Sequence, residues 1–339
     1  MSIDILKEEL KNNKLRNLYL FYGPEEYLEK YYIESIEKIA LNDDMRELNR
    51  IVLEGKVDVR KIIEHSETMP VFSQKKVVIV KNAGLAKGKK KAEEEGKGKA
   101  HSDDLLSYLQ NVPDYTCLIV LEQEIDKRVK IVDIAKKKGL LVEFPYQKPA
   151  ELVKWVIKVF KSHKKEIDSL VASKIVDNSE LGMTEILNEI NKIVLFLGDK
   201  SKPTAEDIDK ICSKSVKSRI FDLTDAIAEK NGAKALRILN DMLVIKEPLP
   251  KILFMITRQF RQVLEMKLLR QNGMDMNQAA GKIGITPYAA GKIAKQAGVF
   301  SIEQLKNAIE DSLQTDLAIK TGRMNDRIAV ELLITKYAG

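Results

Sequence analysis

Over the first ~145 residues, short apolar runs alternate with stretches of helical periodicity. The runs Val77-Val-Ile-Val80 and Cys117-Leu-Ile-Val-Leu121 are continuous rather than alternating. That pattern belongs to parallel strands covered on both faces. Together with weaker runs they predict strands over 18–22, 48–53, 76–81, 117–121 and 140–144. Between them, apolar positions recur at helical spacing over 25–40, 58–67, 103–111 and 127–138. Asp126 is placed to cap the last of these helices and Gly139 to end it. Strand-helix alternation of this kind predicts a parallel α/β layer.

The pattern changes after residue 144. Pro145 and Pro149 bracket a linker, and no strand is predicted beyond it. Helical periodicity over 150–161, 166–178, 183–197 and 205–212 predicts a small four-helix unit, with Thr204 as a cap. A polar stretch at 214–218 reads as a hinge. A third block follows, with helices at 220–230, 233–245, 249–272, 277–283, 287–297, 301–321 and 325–337. The expected fold class is therefore α/β plus all-α, in three domains: 1–147, 148–214 and 215–339. Residues 82–102, rich in Lys, Glu and Gly, read as a solvated surface loop inside the first domain.

Composition narrows the function classes. The net charge of +7 suits contact with nucleic acid without demonstrating it. Cys117 and Cys212 are too few and too far apart for a disulfide framework. His65, His101 and His163 have no ligand spacing, so no metal and no cofactor is expected. The first residues, MSIDILKEEL, lack a signal-peptide core, and no apolar run approaches the ~20 residues of a membrane span. A cytoplasmic protein without membrane contact is expected.

One window has the frame of a phosphate-binding loop. Residues 18–22 (LYLFY) run into Gly23-Pro24 and then into a helical stretch. Laid on G-x-x-x-x-G-K-[ST], Gly23 takes the first position, Leu28 the second glycine, Glu29 the lysine and Lys30 the hydroxyl residue. A leucine Cβ crowds a cradle that needs glycine. Glu29 sets negative charge against a triphosphate, and no hydroxyl remains for magnesium. The window is either a loop that has lost ATP hydrolysis or an ordinary strand-to-helix turn. In neither case is a catalytic residue assigned.

Four segments, at 18–28, 68–83, 121–145 and 220–264, carry a resemblance over essentially the full length. In order and spacing they resemble the delta subunit of bacterial DNA polymerase III, a clamp-loader component. The resemblance implies an AAA+-like architecture: a RecA-like domain, a small helical lid, and a helical collar that assembles a ring. It implies a subunit that opens the sliding clamp (the beta subunit) for loading onto primed DNA without hydrolysing ATP. In the place of the acidic magnesium ligand, the strand at 76–81 ends in Lys81-Asn82. The implied partners are the clamp, the delta-prime and gamma/tau subunits through the collar, and DNA phosphates without sequence preference. The implied location is the cytoplasmic, nucleoid-associated replisome.

The resemblance puts the clamp contact in Thr68-Met69-Pro70-Val71-Phe72-Ser73. Val71 and Phe72 match a hydrophobic pair that enters a pocket on the clamp. Val71 departs from the leucine common there. Met69 and Pro70 flank the pair, and Pro70 stiffens the loop. Arg258, Arg261, Lys320 and Arg323 are the candidate phosphate contacts. The resemblance leaves two rivals in view, an active AAA+ ATPase, which would need the loop lysine that Glu29 replaces, and a DNA-binding module. Residues 279–293 have the spacing of a DNA-binding helix-turn-helix, in which Tyr288 and Lys292 would face base edges.

Overall fold

In the computed structural model the described residues are 2–88, 98–180, 182–213 and 215–339, with side chains described at 98–102 excepted. The chain divides between Tyr146 and Gln147 into two compact units.

The first unit is built from α1 (Ser2–Lys11), β1 (Leu18–Tyr22), α2 (Glu26–Ala40), α3 (Arg46–Asn49), β2 (Arg50–Glu54), α4 (Val59–Glu67), β3 (Lys76–Lys81), α5 (Gly98–Gln110), β4 (Thr116–Glu122), α6 (Lys130–Lys138) and β5 (Leu140–Glu143). The strands form one parallel sheet in the order β2-β3-β4-β1-β5. In β3, Val77 and Ile79 enter a core with Tyr19, Phe21, Ile33 and Ile36, on the face that α1 and α2 cover. Val78 and Val80 enter the opposite core with Leu20, Ile62, Leu109 and Val132, beneath α4, α5 and α6. This burial on both faces is why the strands read as continuous apolar runs.

Several expectations need correction. Helix α1 was not predicted, although Leu6 is fully buried. Leu48 and Asn49 belong to α3 rather than to a strand. Asp126 does not cap α6, whose N-cap is Val129. Its carboxylate instead accepts from the Arg128 backbone N–H at 3.0 Å and pairs with the Arg128 guanidinium, which holds it down at about 2. Gly139 ends α6 without a positive φ. Glycine is needed there because a Cβ would lie 2.4 Å from the Leu18 carbonyl oxygen. Of the loop expected over 82–102, residues 89–97 lie outside the described residues, and the backbone from Gly98 is already helical.

The second unit is all-helical: α7 (Pro149–Ser162), α8 (Ser169–Asn178), α9 (Met183–Leu197), α10 (Ala205–Ile211), α11 (Val216–Ala228), α12 (Gly232–Val244), α13 (Leu249–Gln271), α14 (Met276–Ile283), α15 (Pro287–Val299), α16 (Ile302–Lys320) and α17 (Asp326–Ala338). Thr204 caps α10 through a capping box with Asp207. Helices α7–α10 share one core around Val156, Phe160, Ile175 and Ile190. Helices α11–α17 share another around Phe221, Ile256, Phe260 and Ile293.

The expected polar hinge is instead a buried junction between these cores. Lys214 lies outside the described residues, but Ser215 caps α11, and both Ser215 and Ser218 are buried. Asp177, at the end of α8, accepts hydrogen bonds from Lys217 Nζ and Thr286 Oγ1. Its carbonyl accepts from Ser215 Oγ at 3.1 Å, and Ser218 Oγ donates to Asn178 Oδ1 at 2.9 Å. Those polar residues satisfy one another in the interior, as buried polar groups must.

Candidate functional site

The loop between α4 and β3 stands on a rigid base. A helix leaves its last carbonyls without partners. Here three are filled from outside the helix. Thr116 Oγ1 donates to Ser66 O at 2.6 Å, Tyr115 OH to Glu67 O at 2.8 Å, and Lys76 Nζ to Thr68 O at 2.8 Å. Lys76 is buried, and that burial lowers its pKa.

On this base the loop turns its apolar side chains outward. Phe72 is 87% exposed and Met69 74%, whereas Val71 is 41% exposed. Pro70 is half-buried between them. Phe72 sits at φ +47°, in the left-handed region. For a non-glycine residue that conformation costs about 1–2 kcal/mol and persists only where its surroundings hold it. Val71 and Phe72, expected as a pair, are therefore not equivalent, and Met69 is the more exposed companion of the aromatic ring. A second neighbour had no sequence signal as a loop partner. Asn49 donates from Nδ2 to Val71 O at 2.8 Å and accepts from Val71 N–H at 2.7 Å.

A cleft of about 660 Å³ opens over the carboxyl ends of the strands, lined among others by Gly23, Glu29, Lys30, Lys81, Asn82 and Glu122. Parallel sheets bind ligands in that position. Gly23 lies at φ +135°, and a Cβ there would fall 2.3 Å from the Phe144 carbonyl oxygen. The glycine is thus required by the close passage of the chain after β5. Leu28 packs against the core on the α2 face. The amino end of α2, where backbone N–H groups favour an anion, already carries Glu26 and Glu29 in its first turn. Burial first, then the charges of Glu26 and Glu25, push the Glu29 carboxyl up to about 7. Glu122, also raised by burial, accepts from Leu85 N–H at 2.8 Å. Deeper in the cleft, Glu37 is nearly inaccessible and pairs with both Arg46 and Arg50. Among the described residues no group of His, Cys, Asp and Glu is arranged to hold a metal ion. No helix among them is long and apolar enough to cross a membrane. Both cysteines are buried, and burial pushes each thiol up to about 12.

The four candidate phosphate contacts fall in two settings. Arg258 and Arg261 are exposed one turn apart on α13, and neither forms an ion pair among the described residues. Lys320 is paired with Asp316 at 2.7 Å, and Arg323 Nε donates to Thr321 Oγ1 at 3.1 Å. The helix-turn-helix expectation is corrected by packing. Residues 276–299 do form two helices around a left-handed Gly284. However, Lys292 lies 3.4 Å from Asp222 Oδ1 and over the rings of Tyr288 and Phe221. The second helix is packed against α8, α11 and α13. The residues that would read bases are held by the protein itself.

Comparison with known proteins agrees in both units. The family "DNA polymerase III, delta subunit" matches residues 19–145, and "DNA polymerase III delta subunit, C-terminal domain" matches residues 217–337. The chain is 28% identical to the DNA polymerase III subunit delta of Bacillus subtilis, over 98% of its own length and 96% of that protein. It is 21% identical to the probable DNA polymerase III subunit delta of Aquifex aeolicus, over 86% of this chain and 83% of that one. The solved Bacillus subtilis DNA clamp loader delta protein superposes over 100% of this chain and 99% of its own, with a TM-score of 0.52 and 26% identity. With its parallel sheet and helical second unit, the chain has an AAA+-like clamp-loader fold and belongs to the DNA polymerase III delta-subunit family.

Proposed function

We propose that this chain is the clamp-binding subunit of a clamp loader, which docks Met69 and Phe72 in an apolar pocket of the sliding clamp and favours the open ring. The observation that carries the reading is an 87% exposed phenylalanine on a loop whose base carbonyls, at Ser66, Glu67 and Thr68, all accept hydrogen bonds. A soluble domain gains nothing for its own stability from such a side chain. An exposed aromatic on a fixed backbone is the usual anchor of an interface, and its truncation costs about 2–4 kcal/mol of binding. Pro70 and Val71 shape the base of the contact. Ring opening needs only that the docked geometry fit an open clamp better than a closed one, because a ligand shifts an equilibrium by its differential affinity.

The chain has no catalytic site of its own and works as part of the polymerase holoenzyme. Glu26 and Glu29 occupy the helix end that a phosphate would need, and Lys81-Asn82 replaces the magnesium carboxylate. ATP is turned over by neighbouring subunits. Residues 148–214 act as the lid and residues 215–339 as the collar that meets delta-prime and gamma/tau. Arg258 and Arg261, exposed and unpaired among the described residues, are the better phosphate contacts of the four. The site of action is the cytoplasmic replisome.

The test is binding to the cognate clamp without ATP, for wild type and for Met69→Ala/Phe72→Ala. Wild type should bind and the double variant should lose at least about thirty-fold, equivalent to about 2 kcal/mol. Equal binding by both proteins would move the contact elsewhere. No binding by either folded protein would remove the clamp reading.

A further inference from the structure

We propose that Asn49 is a positioning residue for the docking loop, holding the Val71 backbone so that Phe72 projects. This rests on the clamp-binding reading above. Asn49 is 1% exposed, and its amide makes two bonds to the loop and one back to Met45, the N-cap of its own helix. Its oxygen accepts from Val71 N–H at 2.7 Å, and its nitrogen donates to Val71 O at 2.8 Å and to Met45 O at 3.0 Å. A carboxamide accepts at its oxygen and donates at its nitrogen, so one side chain serves both groups of Val71. The pair of bonds copies one rung of a β-ladder and fixes both peptide planes that flank Val71.

The next residue is Phe72, in the left-handed conformation at φ +47°. Nothing covers its ring, so packing of the side chain does not hold that strained backbone. The backbone must be held from the neighbouring peptide, and Asn49 is the group bonded there. Asn49 is itself fixed. Arg46 and Arg50 precede and follow it, and both engage the buried Glu37 carboxylate from α2. The route runs from the α2 helix through two ion pairs to Asn49, and from Asn49 to the loop. A loop held in its bound shape avoids the ordering cost of docking, which is where affinity is gained.

The experiment is a double-mutant cycle on the full chain, reading the clamp dissociation constant for wild type, Asn49→Ala, Phe72→Ala and the double variant. Clamp concentrations are taken high enough to saturate the weakest. Asn49→Ala should weaken binding about ten-fold, the size of losing one preorganised contact. In the Phe72→Ala background the same change should cost less than about two-fold, because there is no ring left to aim. Asn49→Ser keeps a small polar group but is too short to bridge both Val71 peptides, so it should fall between wild type and Asn49→Ala. It also serves if the alanine variant does not fold. Equal losses in both backgrounds would reduce Asn49 to a structural residue and overturn the inference. Wild-type affinity in Asn49→Ala, with Phe72→Ala impaired, would overturn it and leave the clamp reading intact. Unimpaired Phe72→Ala, with the clamp still bound, would move the contact away from this loop and overturn the inference.

Discussion

Glu29 is the residue whose environment most changes its chemistry. Its carboxyl titrates near 7 in the folded chain instead of at its ordinary 4.5, chiefly because it is withdrawn from water. Between those values the native state binds more protons than the unfolded state, so stability falls as pH rises through the window. The contribution of the protonated form is complete below about 4.5 and gone above about 7. Glu29→Gln keeps the shape and removes the titration. The variant should match wild type near pH 4.5 and exceed it by about 1–2 kcal/mol at pH 8, the shift having been discounted for partial solvent access. Urea unfolding at the two pH values checks this, and parallel pH profiles for the two proteins would show that Glu29 is not the group responsible. Its identity as an obstacle to phosphate was legible from the sequence, since a glutamate at the lysine position needs no structure to read. Its raised pKa was not, because the desolvation comes from residues brought together only by the fold.

At the scale of elements, glycine positions separate two requirements that the sequence does not distinguish. Gly23 and Gly139 face backbone carbonyls so closely that a Cβ has no room. Gly281 and Gly291, inside α14 and α15, meet nothing within 4 Å and have no positive φ. Both are exposed. The second pair therefore lowers helix stability without a packing reason. Gly291→Ala should raise stability by about 0.5–1 kcal/mol, measured as a shift of the unfolding midpoint. A loss instead would mean that the added methyl strains the folded chain at this position. The same contrast explains which elements could be read in advance. The three central strands, β1, β3 and β4, were legible because parallel strands buried on both faces need unbroken apolar runs, and β1 and β3 fall on their expected bounds. Helix α3 was not, because Leu48 reads together with the apolar residues 51–53 across Asn49 and Arg50, and one turn of helix has no period to detect. The docking loop was legible only through resemblance. Its hold by Asn49 was invisible, since the two partners are twenty-two residues apart.

For the second unit as a whole, Asp177 decides whether two hydrophobic cores behave as one. Its carboxylate joins α8 to Lys217 of α11 and to Thr286 at the start of α15, and it is buried. Removing one member of a buried, hydrogen-bonded ion pair leaves the rest desolvated and unpaired. Lys217 retains partial access to water, which moderates the loss to about 2–3 kcal/mol for Asp177→Ala. The more telling consequence concerns cooperativity. Trp155, the single tryptophan, packs against the α7–α10 core and reports on it. Amide exchange along α13 reports on the other core, to which Ile252, Ile256 and Phe260 belong. In wild type the fluorescence change and the loss of α13 protection should occur at one denaturant concentration, because the junction ties the cores together. In Asp177→Ala the fluorescence transition should come first and α13 should remain protected beyond it. Coincident transitions in the variant would show that apolar packing of α8 against α11 and α15 suffices to couple the cores, and that the polar junction fixes only their alignment.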